Sequence, residues 1–335
     1  MTSSTAILAS RIPLSQAYED LDQGIRGFLK TVPPSIKPYT GHLSSALGKN
    51  LRGKALLLAA MGDDELLEAD AVQLAVAIEM FHLATLVHDD IIDNADLRRG
   101  QASLQAKFGK KTAVLCGDYL LARSLELSAK VMSGRKKHRE QGDFSLMTYA
   151  SLVCLGEIRQ HANNFNLDLS LQRYCSIIRG KTAILFEAAL VGGEHFVLES
   201  ERIRPENTES YKKIGRYMGM IFQMMDDLID IEQSEAQAKK PILSDLKAGV
   251  VTLPLILAME KDATIKIEIQ KQQAAGEIQP QIIQKKILAS GGIQETRRFA
   301  QEYYDKALAE IQTLDLIEYK QEALLALLDK AMGKR

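Results

Sequence analysis

The chain has 335 residues, 46% hydrophobic and 25% charged, with a formal net charge of -1. That is the composition of a folded globular protein with a large core, and its balanced charge argues against the basic surface that nucleic-acid binding needs. Cys116, Cys154 and Cys175 are few, odd in number, far apart and set among apolar neighbours, so buried, reduced thiols in a cytoplasmic protein are expected rather than a disulfide framework or a cysteine-bound metal.

Four of the eight prolines, Pro13, Pro33, Pro34 and Pro38, precede residue 40, and a basic segment, Gly48-Lys49-Asn50-Leu51-Arg52-Gly53, follows them. Apolar residues at helical spacing then predict helices over 68–93, 112–132, 145–162, 174–191, 208–232, 252–261 and 296–332. Breaks fall near 62–64, 98–110, 133–143, 192–207 and 233–250. The basic run Arg135-Lys136-Lys137-His138-Arg139 reads as a solvated loop in one of them. No segment alternates as a strand does, no repeat of fixed period occurs, and no break is long and polar enough for a linker, so a single all-α domain over 1–335 is expected. No unbroken apolar run approaches the ~18 residues of a bilayer span, so no stable membrane insertion is expected. The segments 71–88 and 217–230 are apolar on nearly every face, which places them in the middle of a large helical bundle.

Those two helices carry the most unusual charges of the chain. His88-Asp89-Asp90-Ile91-Ile92-Asp93 ends the first, and Asp226-Asp227-Leu228-Ile229-Asp230 lies in the second. Both read Asp-Asp-x-x-Asp. Residues four apart share a helix face, so Asp89 with Asp93 and Asp226 with Asp230 each form a two-carboxylate claw. Carboxylates on an apolar helix are costly unless compensated, and a magnesium ion bound through one or two of them plus substrate phosphates supplies the compensation.

Cations border both clusters. Arg98-Arg99-Gly100 follows the first, Gly180-Lys181-Thr182 lies between the two, and Lys239-Lys240-Pro241 follows the second. Together with a metal, such groups neutralise a diphosphate and make it a leaving group.

On these residues the sequence resembles the trans-polyprenyl diphosphate synthase family from about residue 40 to 260. The segment Gly219-Met220-Ile221-Phe222-Gln223 before the second motif, together with Gly117-Asp118-Tyr119-Leu120-Leu121-Ala122, Gly156-Glu157-Ile158-Arg159-Gln160 and Thr252-Leu253-Pro254-Leu255, supports the likeness. The resemblance implies an isoprenoid-synthase helical bundle with a central active-site cavity, usually a homodimer. It implies magnesium on Asp89, Asp93 and Asp226, with Asp90, Asp227 and Asp230 in support. Arg98, Lys181 and Lys240 would contact the allylic diphosphate, and Lys49, Arg52, His82 and Arg99 would hold isopentenyl diphosphate. Thr182 and Gln223 would face the allylic carbons. The chain departs from the family's Gly-Gly-Lys-Arg-x-Arg-Pro motif at Asn50 and Gly53, from a usual Gly-Lys pair at Gly249-Val250, and from a usual glycine at Lys239.

In this family the growing chain runs along the helix of the first motif. Residues four and five before Asp89 lie about one 5.4 Å turn deeper. They are Thr85 and Ala84, both small, with Phe81 a further turn down as a lower stop. A product of hexaprenyl to octaprenyl length is expected; a farnesyl or geranylgeranyl synthase, or the catalytic subunit of a heteromeric synthase, is the alternative. A class I terpene cyclase accounts less well for the second Asp-rich motif and for Lys49 and Arg52. A di-iron bundle accounts less well for the single Glu79-Met80-Phe81-His82 spacing. The stretch Gln294 to Arg335 reads as helical packing without chemistry.

Overall fold

Leu14, Ala17, Leu21, Ile25 and Leu29 recur at helical spacing, and all are buried on one face of the first helix, α1 (Leu14–Lys30). Pro13 precedes it as the extended residue before the first turn. The computed structural model describes residues 10–133, 144–197, 205–232, 243–276 and 278–334. They form two compact units, each built from separate stretches of chain.

The first unit comprises Met1–Met147, Ala188–Lys212 and Leu314–Leu324. After α1 come α2 (Lys37–Leu43), α3 (Leu51–Ala60), α4 (Asp70–Ile92), α5 (Leu104–Phe108) and α6 (Lys110–Ser133). Helix α4 is its centre and packs on α1, α3 and α6. Its apolar character on all sides follows from that position: Leu74, Ala75, Ala77 and Ile78 are inaccessible to solvent. By length and composition α4 could cross a membrane, but 67% of its most apolar window is buried inside the protein, which is what a core helix requires. At the far end of α3 the buried Lys320 ammonium donates to the Ala59 and Met61 carbonyls, satisfying acceptors that a helix C-terminus leaves open.

The second unit comprises Thr148–Glu187, Lys213–Thr313 and Leu325–Arg335. Helices α7 (Leu146–His161), α8 (Leu171–Ile178), α9 (Ile184–Glu194) and α10 (Pro205–Glu232) are followed by α11 (Ser244–Lys247), α12 (Leu253–Lys261), α13 (Ala263–Ala274), α14 (Pro280–Ser290), α15 (Gly292–Thr313) and α16 (Glu318–Ala331). Its core gathers Tyr174, Ile177, Met220, Met224, Leu228, Leu253, Ile256, Ile265 and Ile287 from five of these helices.

The all-α expectation holds, with local differences. Two small antiparallel pairs occur: Arg11–Pro13 with Leu66–Glu68, and Leu97–Arg98 with Gln101–Ala102. They are too short for an alternating pattern to register. The helix expected over 174–191 is interrupted by a π-helical turn at Arg179–Ala183, and the run over 296–332 is broken between Thr313 and Glu318. Helices α1, α2, α3, α5, α11, α13 and α14 lie where no helix was expected. Of the cysteines, all free, Cys116 is buried as anticipated, but Cys175 is half-buried and Cys154 is exposed on α7.

Candidate active site

In the first unit the Asp-rich motif closes α4. The Asp93 amide donates to the Asp89 carbonyl at 2.8 Å, so the two acids sit one helical turn apart, Asp89 half-buried and Asp93 exposed. Asp90 points about 100° away around the helix and is 4% exposed. Arg98 reaches it with Nε, 2.8 Å and 2.7 Å from its two carboxylate oxygens, so one buried acid fixes the strand that follows the motif. Beside the motif, Gly117 lets the His88 ring lie against α6, where a Cβ would stand 2.5 Å from its Nε2, and that ring bonds Asp118 at 3.1 Å.

Arg98 and Arg99 lie on a hairpin between Leu97–Arg98 and Gln101–Ala102. Its two turn residues, Arg99 and Gly100, both have left-handed backbones, with φ of 51° and 78°. Asn-Gly is the pairing such a turn favours, so an arginine at the first position carries backbone strain of order 1 kcal/mol. Gly48 lies under that arginine: a Cβ there would come within 2.6 Å of the guanidinium.

The charges of Arg52, Arg98 and Arg99 all act on His82 and, after burial, hold it well below its ordinary pKa, so it is neutral. Burial draws the Arg52 guanidinium down to about 10 against the pull of Glu79. Arg52, His82 and Arg99, expected from the sequence to act together, are therefore neighbours, and Arg98, expected on the allylic diphosphate, lies beside them. Lys49 is exposed just before α3. Such a cluster of cations around a neutral ring suits a multiply charged anion. Of the residues expected to set product length, Phe81 and Ala84 are 1% and 0% exposed, whereas Thr85 is half-buried with its hydroxyl donating to the His82 carbonyl at 2.8 Å.

In the second unit the Asp-rich motif occupies the last turns of α10. Asp226 is exposed and Asp230 half-buried; Asp230 accepts from the Ser244 hydroxyl at 2.7 Å. Asp227, 3% exposed, accepts from the Tyr174 hydroxyl at 2.6 Å, the Gln223 amide at 2.9 Å and the Leu253 backbone at 3.3 Å. Burial nevertheless pushes its pKa up to about 6. The other end of the Gln223 side chain accepts from the Thr182 hydroxyl at 2.7 Å, which orients both groups.

Lys181 and Thr182 lie in the π-helical turn, a local widening often found at functional sites. Two glycines accommodate it. A Cβ on Gly156 would lie 2.4 Å from the Lys181 amide nitrogen, and one on Gly219 would lie 2.3 Å from Ala183 Cα. The Lys181 ammonium pairs with Glu157 at 2.9 Å, both side chains about one-fifth exposed. Lys239 and Lys240 lie outside the described residues.

Glu79, Glu157 and Tyr174 are not among the site residues that the sequence motifs single out. A signal existed for the first, the sole carboxylate between Asp70 and Asp89 on an otherwise apolar helix. Among the described residues no three His, Cys, Asp or Glu side chains converge as a ready-made metal cage. The outer aspartates instead offer accessible hard oxygens, a donor set that fits magnesium completed by phosphate oxygens rather than a closed protein site.

The sequence model of the polyprenyl synthetase family matches residues 33–286. The chain is 34% identical over 324 residues to heptaprenyl diphosphate synthase component 2 of Bacillus subtilis (strain 168), covering 95% of this chain and 88% of that protein. It is 33% identical over 298 residues to the octaprenyl diphosphate synthase of Escherichia coli (strain K12), covering 85% and 86%. The crystal structure of heptaprenyl diphosphate synthase from Staphylococcus aureus superposes with a TM-score of 0.84 at 29% identity, over 97% of this chain and 99% of that one. That of polyprenyl synthase from Caulobacter crescentus CB15, complexed with calcium and isoprenyl diphosphate, superposes with a TM-score of 0.82 at 29% identity, over 96% and 97%.

Proposed function

The chain belongs to the polyprenyl synthetase family and is a chain-elongating prenyltransferase, and we propose that it condenses isopentenyl diphosphate with an allylic diphosphate, using magnesium, to a product of hexaprenyl to octaprenyl length. The observation that carries this reading is the shared anatomy of the two Asp-rich motifs. In each, the middle aspartate is buried and hydrogen-bonded, and the flanking ones are half-buried or exposed.

In this reading Asp89, Asp93 and Asp226 hold magnesium, which when bound adds positive charge against the oxygens of the leaving diphosphate. Asp90 and Asp227 fix the geometry, the first through Arg98 and the second through Tyr174 and Gln223. Arg98, Lys181 and Lys240 take the allylic diphosphate; Glu157 holds the Lys181 ammonium in place before the substrate arrives. Lys49, Arg52, His82 and Arg99 take isopentenyl diphosphate. The allylic carbon–oxygen bond breaks with its electron pair leaving on the diphosphate. The isopentenyl double bond then attacks the allylic carbon, and a proton leaves for the departed diphosphate. The carbonyl of Gln223 and the hydroxyl of Thr182 supply dipoles for the transient carbocation.

The protein acts in the cytoplasm as a homodimer. The exposed apolar residues Val114 and Leu115 on α6, and Leu152, Leu155 and Ile158 on α7, support an association of that kind. The Bacillus subtilis relative bears the name of one component of a synthase, and dependence on a second subunit is the alternative arrangement.

Substituting Asp89→Asn and, separately, Asp226→Asn tests the assignment. Each is expected to lower magnesium-dependent turnover by about 100-fold or more while leaving folding intact, as befits loss of charge aimed at a leaving group. Turnover at the parental rate in both variants would remove these acids from the metal site.

A further inference from the structure

Glu79 is 7% exposed in the middle of α4, and none of the steps above uses it. Its Oε1 accepts the Gly53 amide at 2.7 Å, and the Arg52 amide also bonds its carboxylate. These are the second and third residues of α3, whose first amides have no partner within the helix. The residue before the helix, Asn50, has a left-handed backbone at φ 53° and makes no side-chain cap. Its amide instead donates to Asp22 at 2.6 Å. The cap of α3 therefore comes from another helix.

Position 53 is also where this chain carries glycine in a motif that elsewhere ends in proline. Proline has no amide hydrogen and could not make the bond to Glu79. A Cβ at that position would stand 2.8 Å from Leu21 Cδ2 and 3.1 Å from Glu79 Cγ. Both properties of glycine, its amide and its missing side chain, are in use. The same carboxylate draws on the charges of Arg52 and Arg99. Because it occupies the start of α3, those amides are not available to a substrate phosphate, and the guanidinium groups must do that work.

We propose that Glu79 is a positioning residue for isopentenyl diphosphate: it clamps the first turn of α3 through the amides of Arg52 and Gly53, and so aims the Arg52 side chain into the cluster with His82, Arg98 and Arg99. The role rests on reading that cluster as the isopentenyl site. Glu79 does not touch substrate; it acts through Arg52.

Steady-state kinetics and calorimetric titration with isopentenyl diphosphate on the full-length chain test the role. Glu79→Gln keeps an acceptor oxygen and loses the charge, so KM and Kd for isopentenyl diphosphate are expected to rise about tenfold, with kcat and the allylic KM unchanged. Glu79→Leu and Gly53→Pro remove acceptor and donor respectively and are expected to raise them about 100-fold. The double variant Gly53→Pro with Glu79→Leu leaves no buried carboxylate unpaired. Its Tm is expected to exceed that of Gly53→Pro, while isopentenyl affinity stays low. If Glu79→Leu or Gly53→Pro lowers Tm but keeps the parental isopentenyl KM and Kd, Glu79 is only structural and the proposal is overturned. If the parent elongates an allylic diphosphate but neither Arg52 nor Arg99 affects isopentenyl binding when substituted, the reading of the cluster fails, and the positioning role with it.

Discussion

Arg99, which the proposed reading places on isopentenyl diphosphate, stands there against its own backbone preference. It holds a left-handed φ of 51° in a turn where asparagine is preferred, and it sits over Gly48 with Arg52, Arg98 and His82 as neighbours. Replacing it with asparagine keeps the turn and removes the cation. Arg99→Asn is expected to raise the isopentenyl diphosphate KM by about 10- to 100-fold, the worth of a charge-assisted hydrogen bond, with Tm unchanged or slightly higher. A lower Tm at an unchanged KM would mean that the arginine serves the hairpin alone. Residues of this kind were legible because types and spacing reveal them: two matched Asp-rich motifs, with arginines after one and lysines after the other. What the spacing could not reveal is that the middle aspartate of each motif faces inward. Asp90 and Asp227 find partners in Arg98 and Tyr174, one eight residues away and the other 53. Glu79 reads in the sequence only as half of a Glu-x-x-His spacing, because its partners are backbone amides of α3, which no residue type announces.

At the scale of elements, the seam between α10 and the turn leading into α9 sets the geometry of the second motif. Thr182 meets Gln223 at 2.7 Å, Gly219 brings the backbones together at Ala183, and Phe186 stacks near Phe222 with ring centres 5.6 Å apart. A methyl group at position 219 would force the seam open, since its Cβ would lie 2.3 Å from backbone. Gly219→Ala is expected to destabilise the fold by about 1–3 kcal/mol, as overpacking does. It is also expected to cut kcat by at least about tenfold as the Thr182–Gln223 bond stretches. Parental kcat and Tm in that variant would show that the seam tolerates the widening. No sequence pattern announced the π-helical turn there, because the apolar spacing of 174–191 is continuous and the extra residue is accommodated by packing on Gly156 and Gly219. The reverse held for α1: its buried stripe of Leu14, Ala17, Leu21, Ile25 and Leu29 is regular, but nearby prolines drew attention to breaks rather than to the helix between them.

For the molecule as a whole, the all-helical class was readable from the density of 3.6-residue patterning. The reason the patterning on α4 fades into apolarity on every side is its place at the centre of its unit. In the proposed reading, product length is set on the same helix. Ala84 and Phe81 have almost no accessible surface and Thr85 retains some, so Thr85 is the position from which a bulky side chain can block a hydrocarbon without overfilling the core. Thr85→Phe is expected to shift the products to shorter chains at a comparable rate of isopentenyl consumption. An unchanged product distribution would move the length determinant elsewhere. The central claim, chain elongation on a magnesium-bound diphosphate, is tested most directly by incubating the protein with farnesyl diphosphate and radiolabelled isopentenyl diphosphate, with magnesium or with chelator, and resolving the products by length. The account predicts magnesium-dependent label in products of hexaprenyl to octaprenyl length and none with chelator; label that never leaves isopentenyl diphosphate, or elongation indifferent to chelator, would contradict it.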